Sequence, residues 1–262
     1  MTQRIRVERA EGIGTITIDR PDQHNAMSYD MWLALGEAAR DLSADAAVKV
    51  VVLTGAGGKA FSAGADIKDF PAHRSSSALA KTYAAAFEGS MDAIEAMPKP
   101  VIAMIRGICV GGGCELATAT DIRIAAEGST FGVPIAKIGV LAGYKEARRL
   151  VELVGVGNAK HILLTAKTLD AHEAFRIGLV SEVVPDNRLE AHTYELAGRM
   201  VHFAPMSQSG HKRILRTVLD KPSLTGLTPE EAGFPLTIFD TEDGMEGYRS
   251  FVEKRPPRFT GR

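Results

Sequence analysis

Short apolar runs bounded by charge or glycine recur through the N-terminal part of the chain. Ile13 to Ile18 alternates in part, while Val48 to Leu53, Val101 to Ile105 and Ile122 to Ala126 are nearly continuous. Runs of this length, broken by turn residues, predict strands, several of them buried on both faces. Between them, apolar residues return every three or four positions. Met31, Leu35, Ala38 and Leu42 form one stripe, and Leu79, Tyr83, Phe87, Met91, Ile94 and Met97 form another, so both segments predict amphipathic helices. Pro98 and Pro100 end the second. Asp170 with Glu173 resembles a variant capping box, and Gly178 stands where a helix C-cap belongs, before a strand-like Leu179 to Val184. From about Arg188 the strands cease. Helical stripes follow at Leu189, Leu196 and Met200, then Ile214, Leu215, Val218 and Leu219, with a capped start at Thr228-Pro-Glu-Glu231 and a last stripe at Met245, Tyr248 and Phe251 or Val252. The pattern implies an α/β body over 1–187 and a helical region over 188–262.

Composition sets bounds without choosing a function. A chain of 262 residues, 45% hydrophobic and 24% charged, has enough apolar side chains for a full core. Its net charge of −1 and pI near 6.7 offer no field for a phosphate backbone, so nucleic acid is not the expected partner. Met-Thr-Gln-Arg-Ile-Arg-Val-Glu-Arg has no apolar stretch of a secretory leader, and no apolar run approaches a membrane span. Cys109 and Cys114 are the only cysteines and do not form Cys-x-x-Cys, so they read as small core residues of a protein in a reducing cytoplasm, with no metal site.

Three nucleotide or nucleophile motifs fail on inspection. Gly55-Ala-Gly-Gly-Lys59 has the wrong spacing for a phosphate loop, and Ala60 stands where Ser or Thr would hold Mg²⁺. Gly111-Gly-Gly113 would need a further glycine at Leu116 to make a dinucleotide fingerprint, so a nicotinamide-dependent oxidoreductase is not expected. Ser62 lacks the first glycine of a nucleophile elbow and reads as a packing or turn residue. What remains are two glycine-broken segments, Lys59 to Asp69 and Arg106 to Leu116, each following an apolar run. Glycine there lets bare backbone N–H groups face a ligand, and such a pair suits a developing oxyanion.

The combination of blocks resembles the enoyl-CoA hydratase/isomerase (crotonase) superfamily over nearly the whole chain. The carriers are Arg20-Pro-Asp-Gln-His-Asn-Ala26, Ala60-Phe-Ser-Ala-Gly-Ala-Asp-Ile67, Lys99-Pro-Val-Ile-Ala-Met-Ile-Arg-Gly107, and Gly111-Gly-Gly-Cys-Glu-Leu-Ala117 followed by Asp121. Thr130-Phe-Gly132, Leu164-Thr-Ala166 and Phe251-Val-Glu-Lys-Arg255 follow in the family's order. The resemblance implies a spiral of ββα repeats with a C-terminal helical region that packs homotrimers, commonly paired into hexamers. It implies acyl-CoA as substrate, with coenzyme A part of the thioester rather than a separate cofactor. The N–H groups of Ala65 and Gly112 would point at the thioester oxygen. Backbone around His24, Asn25, Ala63, Asp66 and Ile67 would cradle adenine, while Lys68, and Phe251 with Lys254 from a neighbouring subunit, would line the pantetheine and phosphate path. Glu115 would be an acid-base carboxylate beside the hole.

The chain departs from that pattern where the second family glutamate belongs. Phe131-Gly-Val-Pro-Ile135 puts isoleucine there, and Ile135 can line a pocket but cannot transfer a proton. The glycine-rich segment that should follow reads Ala142-Gly-Tyr-Lys-Glu146, with bulky and charged residues near the expected water site. The expectation is therefore a hydratase-like lyase with a single-glutamate acid-base set, Tyr144 or Glu146 positioning water. Decarboxylation, isomerisation or C–C cleavage of another CoA ester is the alternative. A non-catalytic acyl-CoA binding protein is a reading of a different class.

Overall fold

The strand Val50-Val-Val-Leu-Thr-Gly55 has four consecutive side chains with no exposure, because it is covered on both faces. In the computed structural model, which describes residues 4–262, Val51 and Leu53 enter the main core while Val50 and Val52 enter a second cluster behind the sheet. The same alternation holds in Val101–Ile105. A β period of two therefore builds two cores from one run of apolar residues.

The elements in chain order are β1 (Ile5–Ala10), β2 (Ile13–Ile18), α1 (Tyr29–Ala44), β3 (Val50–Gly55), β4 (Ala60–Ser62), α2 (Phe70–His73), α3 (Ser77–Glu95), β5 (Val101–Ile105), β6 (Ile108–Val110), α4 (Gly112–Thr118), β7 (Ile122–Ala126), β8 (Thr130–Gly132), α5 (Tyr144–Thr165), β9 (Leu169–Asp170), α6 (Ala171–Arg176), β10 (Glu182–Val184) and then α7 (Leu189–Val201), α8 (Pro205–Asp220), α9 (Pro229–Gly233) and α10 (Glu242–Glu253). Strands β1-β2-β3-β5-β7-β10 form one sheet and β4-β6-β8-β9 another. Three successive turns each place one strand in the first sheet, the next in the second, and then a helix: β3-β4-α3, β5-β6-α4 and β7-β8-α5. Within each sheet these strands run parallel, as a spiral of ββα repeats requires.

The expected strands at Ile13–Ile18, Val101–Ile105 and Ile122–Ala126 form as read, and the run read over Val48 to Leu53 is paired over Val50–Gly55. Leu179 to Val184 is shorter than expected: only Glu182–Val184 pairs with β7, while Leu179 and Val180 bury in the core before the strand begins. Asp170 caps α6 by accepting from the Glu173 N–H at 2.7 Å, and Thr228 and Glu231 form a reciprocal capping box. Helix α7 starts where the helical region was expected, and its Leu189, Ala197 and Met200 close the second core against the sheet. Beyond it, α8 and α9 bury no residue, and the stripe on α10 lies open at Met245, Tyr248, Phe251 and Val252. Among the described residues no helix is long and apolar enough to cross a membrane.

Candidate active site

The strands of the smaller sheet end where the two glycine-broken segments begin, so the sheet carries both loops to one place. Ser62 ends β4; its hydroxyl donates to the Asn25 carbonyl at 2.8 Å and accepts from the Gly64 N–H at 3.1 Å. This makes Ser62 a turn residue, one of the two roles expected of it. The next residues pair with the segment around Met27: the Met27 N–H donates to Gly64 O and the Asp66 N–H to Met27 O, both at 2.8 Å. In a parallel bridge of this kind the intervening residue, Ala65, turns its own N–H the other way.

The second loop meets the first at Gly64, whose φ is +88°. A Cβ at this position would lie 2.7 Å from the Gly112 nitrogen, so only glycine lets the two backbones approach. A Cβ on Gly112 would in turn lie 3.5 Å from the Ala65 nitrogen, 3.1 Å from Phe87 Cε2 and 3.4 Å from Trp32 Cζ2. Neither the Ala65 nor the Gly112 N–H donates to a protein acceptor among the described residues. Gly112 opens α4, where unpaired N–H groups are inherent to a helix start. Aromatics pack beside Gly112: Trp32 and Phe87 lie edge to face at 4.7 Å, and Trp32 Nε1 donates to the Tyr83 hydroxyl at 2.8 Å. Burial pushes that hydroxyl up to about 12.

Glu115 lies one helical turn beyond Gly111 and is buried. Burial raises its carboxyl to about 7, the negative charge of Glu146 adds to the shift, and Arg74 opposes it. Glu146, in the first turn of α5, is buried too, and burial raises its carboxyl despite the facing Arg149 guanidinium. Its Oε1 sits 3.7 Å from Arg149 Nη1, and neither atom has a hydrogen-bond partner. Arg149 is held elsewhere by Asp92 at 2.7 Å and Glu95 at 2.6 Å. The two glutamates line one cavity of about 10 Å³ together with Thr118, Val133, Ala142, Ala147, Leu150 and Leu163. That is about the room one water occupies, and the surface facing it is apolar although two acidic side chains line it.

The enoyl-CoA hydratase/isomerase family model matches residues 8–262. The chain belongs to that family. It is 37% identical over 261 residues to crotonyl-CoA hydratase of Syntrophomonas wolfei subsp. wolfei, with 98% of each chain covered. It is 33% identical over 266 residues to carnitinyl-CoA dehydratase of Salmonella enteritidis PT4, covering all of both. It superposes with a TM-score of 0.95, at 40% identity and covering 100% of this chain and 97% of the other, on the crystal structure of an enoyl-CoA hydratase/carnithine racemase from Magnetospirillum magneticum. Family membership makes this chain an enzyme of the crotonase type.

Within the family frame, the residues expected from sequence fall into two groups. Ala65 and Gly112 lie close together where the two loops meet, and Glu115, in the first turn of α4, shares a cavity with Glu146 of α5. Of the two residues expected to position water, Glu146 lines this cavity with Glu115 and Tyr144 does not. His24, Ile67 and Lys68 are exposed and Ala63 is half-buried, with His24 in the left-handed region at φ 49°. Asp66 faces inward, and although burial alone would raise its carboxyl, the Lys68 N–H and the Arg20 guanidinium at 2.7 Å hold it below the ordinary range. Asn25 turns its side chain away from any ligand: Oδ1 accepts from the Arg20 N–H, and Nδ2 donates to Ala60 O at 2.7 Å and Ala56 O at 3.0 Å. Ile135 packs partly buried against the core. Tyr144 does not reach the cavity; at the first position of α5 its ring points outward and is 98% exposed. Phe251 and Lys254 are exposed at the end of α10 and line no part of this cavity within one chain. Trp32, Tyr83, Phe87 and Arg74 were not singled out as site residues, because helical periodicity marks a buried aromatic without saying whether it borders core or ligand.

Proposed function

We propose that the protein adds water across the double bond of a 2-enoyl-CoA thioester, and removes it in reverse, using Glu115 and Glu146 together. The observation that carries this is that the buried Glu115 and Glu146 line one cavity, with Glu115 in the first turn of the helix that Gly112 opens with an unpaired N–H. The thioester oxygen accepts from the N–H groups of Ala65 and Gly112, so that the enolate formed on water addition meets donors already in place. Losing one such donor costs about 3–4 kcal/mol of transition-state stabilisation. The water lies between the carboxyls; one takes its proton as the oxygen bonds to the β-carbon, and the other delivers a proton to the α-carbon as the enolate collapses. Like charges held close favour one shared proton, the state this chemistry needs, and the two titrate as a pair. Glu146 thereby supplies the carboxyl that Ile135 cannot. The names of the hydratase and dehydratase relatives support the same direction of chemistry.

His24, Ala63, Asp66, Ile67 and Lys68 form the rim along which the coenzyme A portion lies, adenine against the backbone. The region from 188 onward assembles copies of this chain, supported by the open apolar stripe of α10, and brings Phe251 and Lys254 of a neighbour to that rim. Glu115→Gln and Glu146→Gln are each expected to lower kcat at least 100-fold with acyl-CoA binding retained, read by loss of enoyl-thioester absorbance and by calorimetry. Full activity of Glu146→Gln would return the mechanism to a single glutamate. Unchanged turnover in both variants would remove the carboxyls from it, and with them the hydratase reading.

A further inference from the structure

On the aromatic side of the proposed oxyanion hole sits a cation without a counterion. Arg74 follows α2, and its guanidinium lies 4.2 Å from the centroid of the Tyr83 ring and 5.0 Å from that of Phe70. Among the described residues no carboxylate comes within salt-bridge distance of it and its guanidinium donates to no protein acceptor, whereas neighbouring Arg20, Arg148 and Arg149 each hold at least one acid at 2.8 Å or less. It is half-buried rather than extended into solvent. Stacking on two rings fixes the plane of the fork while leaving its N–H edges free.

The position of this cation follows from the packing. The absent Cβ of Gly112 faces Trp32 and Phe87; Trp32 hydrogen-bonds Tyr83, Tyr83 stacks on Phe87 at 6.3 Å, and Arg74 covers Tyr83. One aromatic layer thus separates the guanidinium from the proposed oxyanion donors. It is near enough to the reacting end for its charge to act on the buried Glu115 carboxyl. A thioester whose carbonyl sits on Ala65 and Gly112 would direct its acyl chain along this wall. An acyl chain ending in a methyl leaves the guanidinium unpaired; one ending in a carboxylate meets a planar fork made for it.

We propose that Arg74 is a specificity-determining residue that receives a carboxylate at the far end of the acyl group, so that the preferred substrates are CoA thioesters of dicarboxylic acids. The proposal rests on the acyl-CoA reading of the site, but not on the reaction performed there. An anion on Arg74 has a second source, a phosphate of coenzyme A, and the test separates the two.

Calorimetric titration of the full-length protein with glutaryl-CoA and pentanoyl-CoA, which match in carbon number and need no turnover, reads the preference directly. The wild type is expected to bind glutaryl-CoA at least tenfold more tightly. Arg74→Met should abolish that ratio, and Arg74→Lys, which keeps the charge without the fork, should retain part of it. Equal affinity of the wild type for the two thioesters overturns the proposal. So does an Arg74→Met loss equal for both acyl groups that disappears with pantetheine thioesters, since that pattern assigns the cation to a phosphate. Failure to bind either CoA ester overturns the acyl-CoA reading itself, and this proposal with it.

Discussion

Replacing Glu115 by glutamine keeps the side chain's shape and removes its charge, and the consequences for activity and stability run in opposite directions. In the folded protein the carboxyl is raised from an ordinary 4.5 to about 7, chiefly by burial and then by Glu146. A difference of about 2.5 pH units corresponds to about 3 kcal/mol at 1.36 kcal/mol per unit. The sign follows from proton counting. Between pH 4.5 and 7 the folded state holds a proton that the unfolded chain has released, so this group's contribution falls as pH rises through that window. Above pH 7 the full penalty of a buried carboxylate is present; below pH 4.5 it is absent. Glutamine does not titrate. Glu115→Gln is therefore expected to exceed the wild type in stability by about 3 kcal/mol at pH 8 and to match it near pH 4, a gain of about 6 °C in Tm for a chain of this size. Guanidinium unfolding at one protein concentration, at both pH values, measures this directly. A stability difference that is absent at pH 8, or larger in acid, would contradict the burial argument, whatever happens to turnover.

Two further substitutions probe the loops that hold the site. Gly112→Val should reduce kcat/KM at least 100-fold with the fold intact, because φ is not positive there and the added methyls fall between the Ala65 nitrogen, Phe87 and Trp32; steady-state kinetics beside a circular dichroism spectrum checks it, and activity near wild type would remove Gly112 from the hole. Asn25→Ala leaves one buried and two partly buried backbone partners of the Asn25 amide unsatisfied and should lower stability by about 2 kcal/mol in denaturant unfolding, since an orphaned buried group costs about 1–3 kcal/mol and the partly buried ones can turn to water.

The long apolar runs and helical stripes disclosed α1, α3 and every strand of the large sheet but β1, because burial on both faces or one leaves a period that a short window can detect. The smaller sheet was hidden. Strands β4, β6 and β8 have three residues each, and the chain breaks at Gly64 and Gly111 immediately afterwards, so no alternation has room to develop. Helix α5 was missed for a different reason: Gly155, at φ 72°, interrupts it, and its exposed face is charged. The meeting of the two loops was legible because glycine spacing records close approach, as Gly64 against Gly112 shows. The second carboxyl was only half legible. Glu146 was marked by standing where a small residue belongs, but its direction depends on how α5 begins, with Gly143 as N-cap turning the first turn inward for Glu146 and outward for Tyr144. Arg74 carried no signal at all, since a lone arginine in a loop looks the same whether it faces solvent or a ring.

The claim that two glutamates direct one water onto an enoyl thioester is tested most directly by turnover in heavy-oxygen water followed by mass spectrometry of the CoA esters. The account predicts a β-hydroxyacyl-CoA carrying one heavy oxygen, formed by the wild type and suppressed in both Glu115→Gln and Glu146→Gln. Loss of CO₂, a shifted double bond without label, or label incorporation undiminished when both carboxyls are replaced would contradict it.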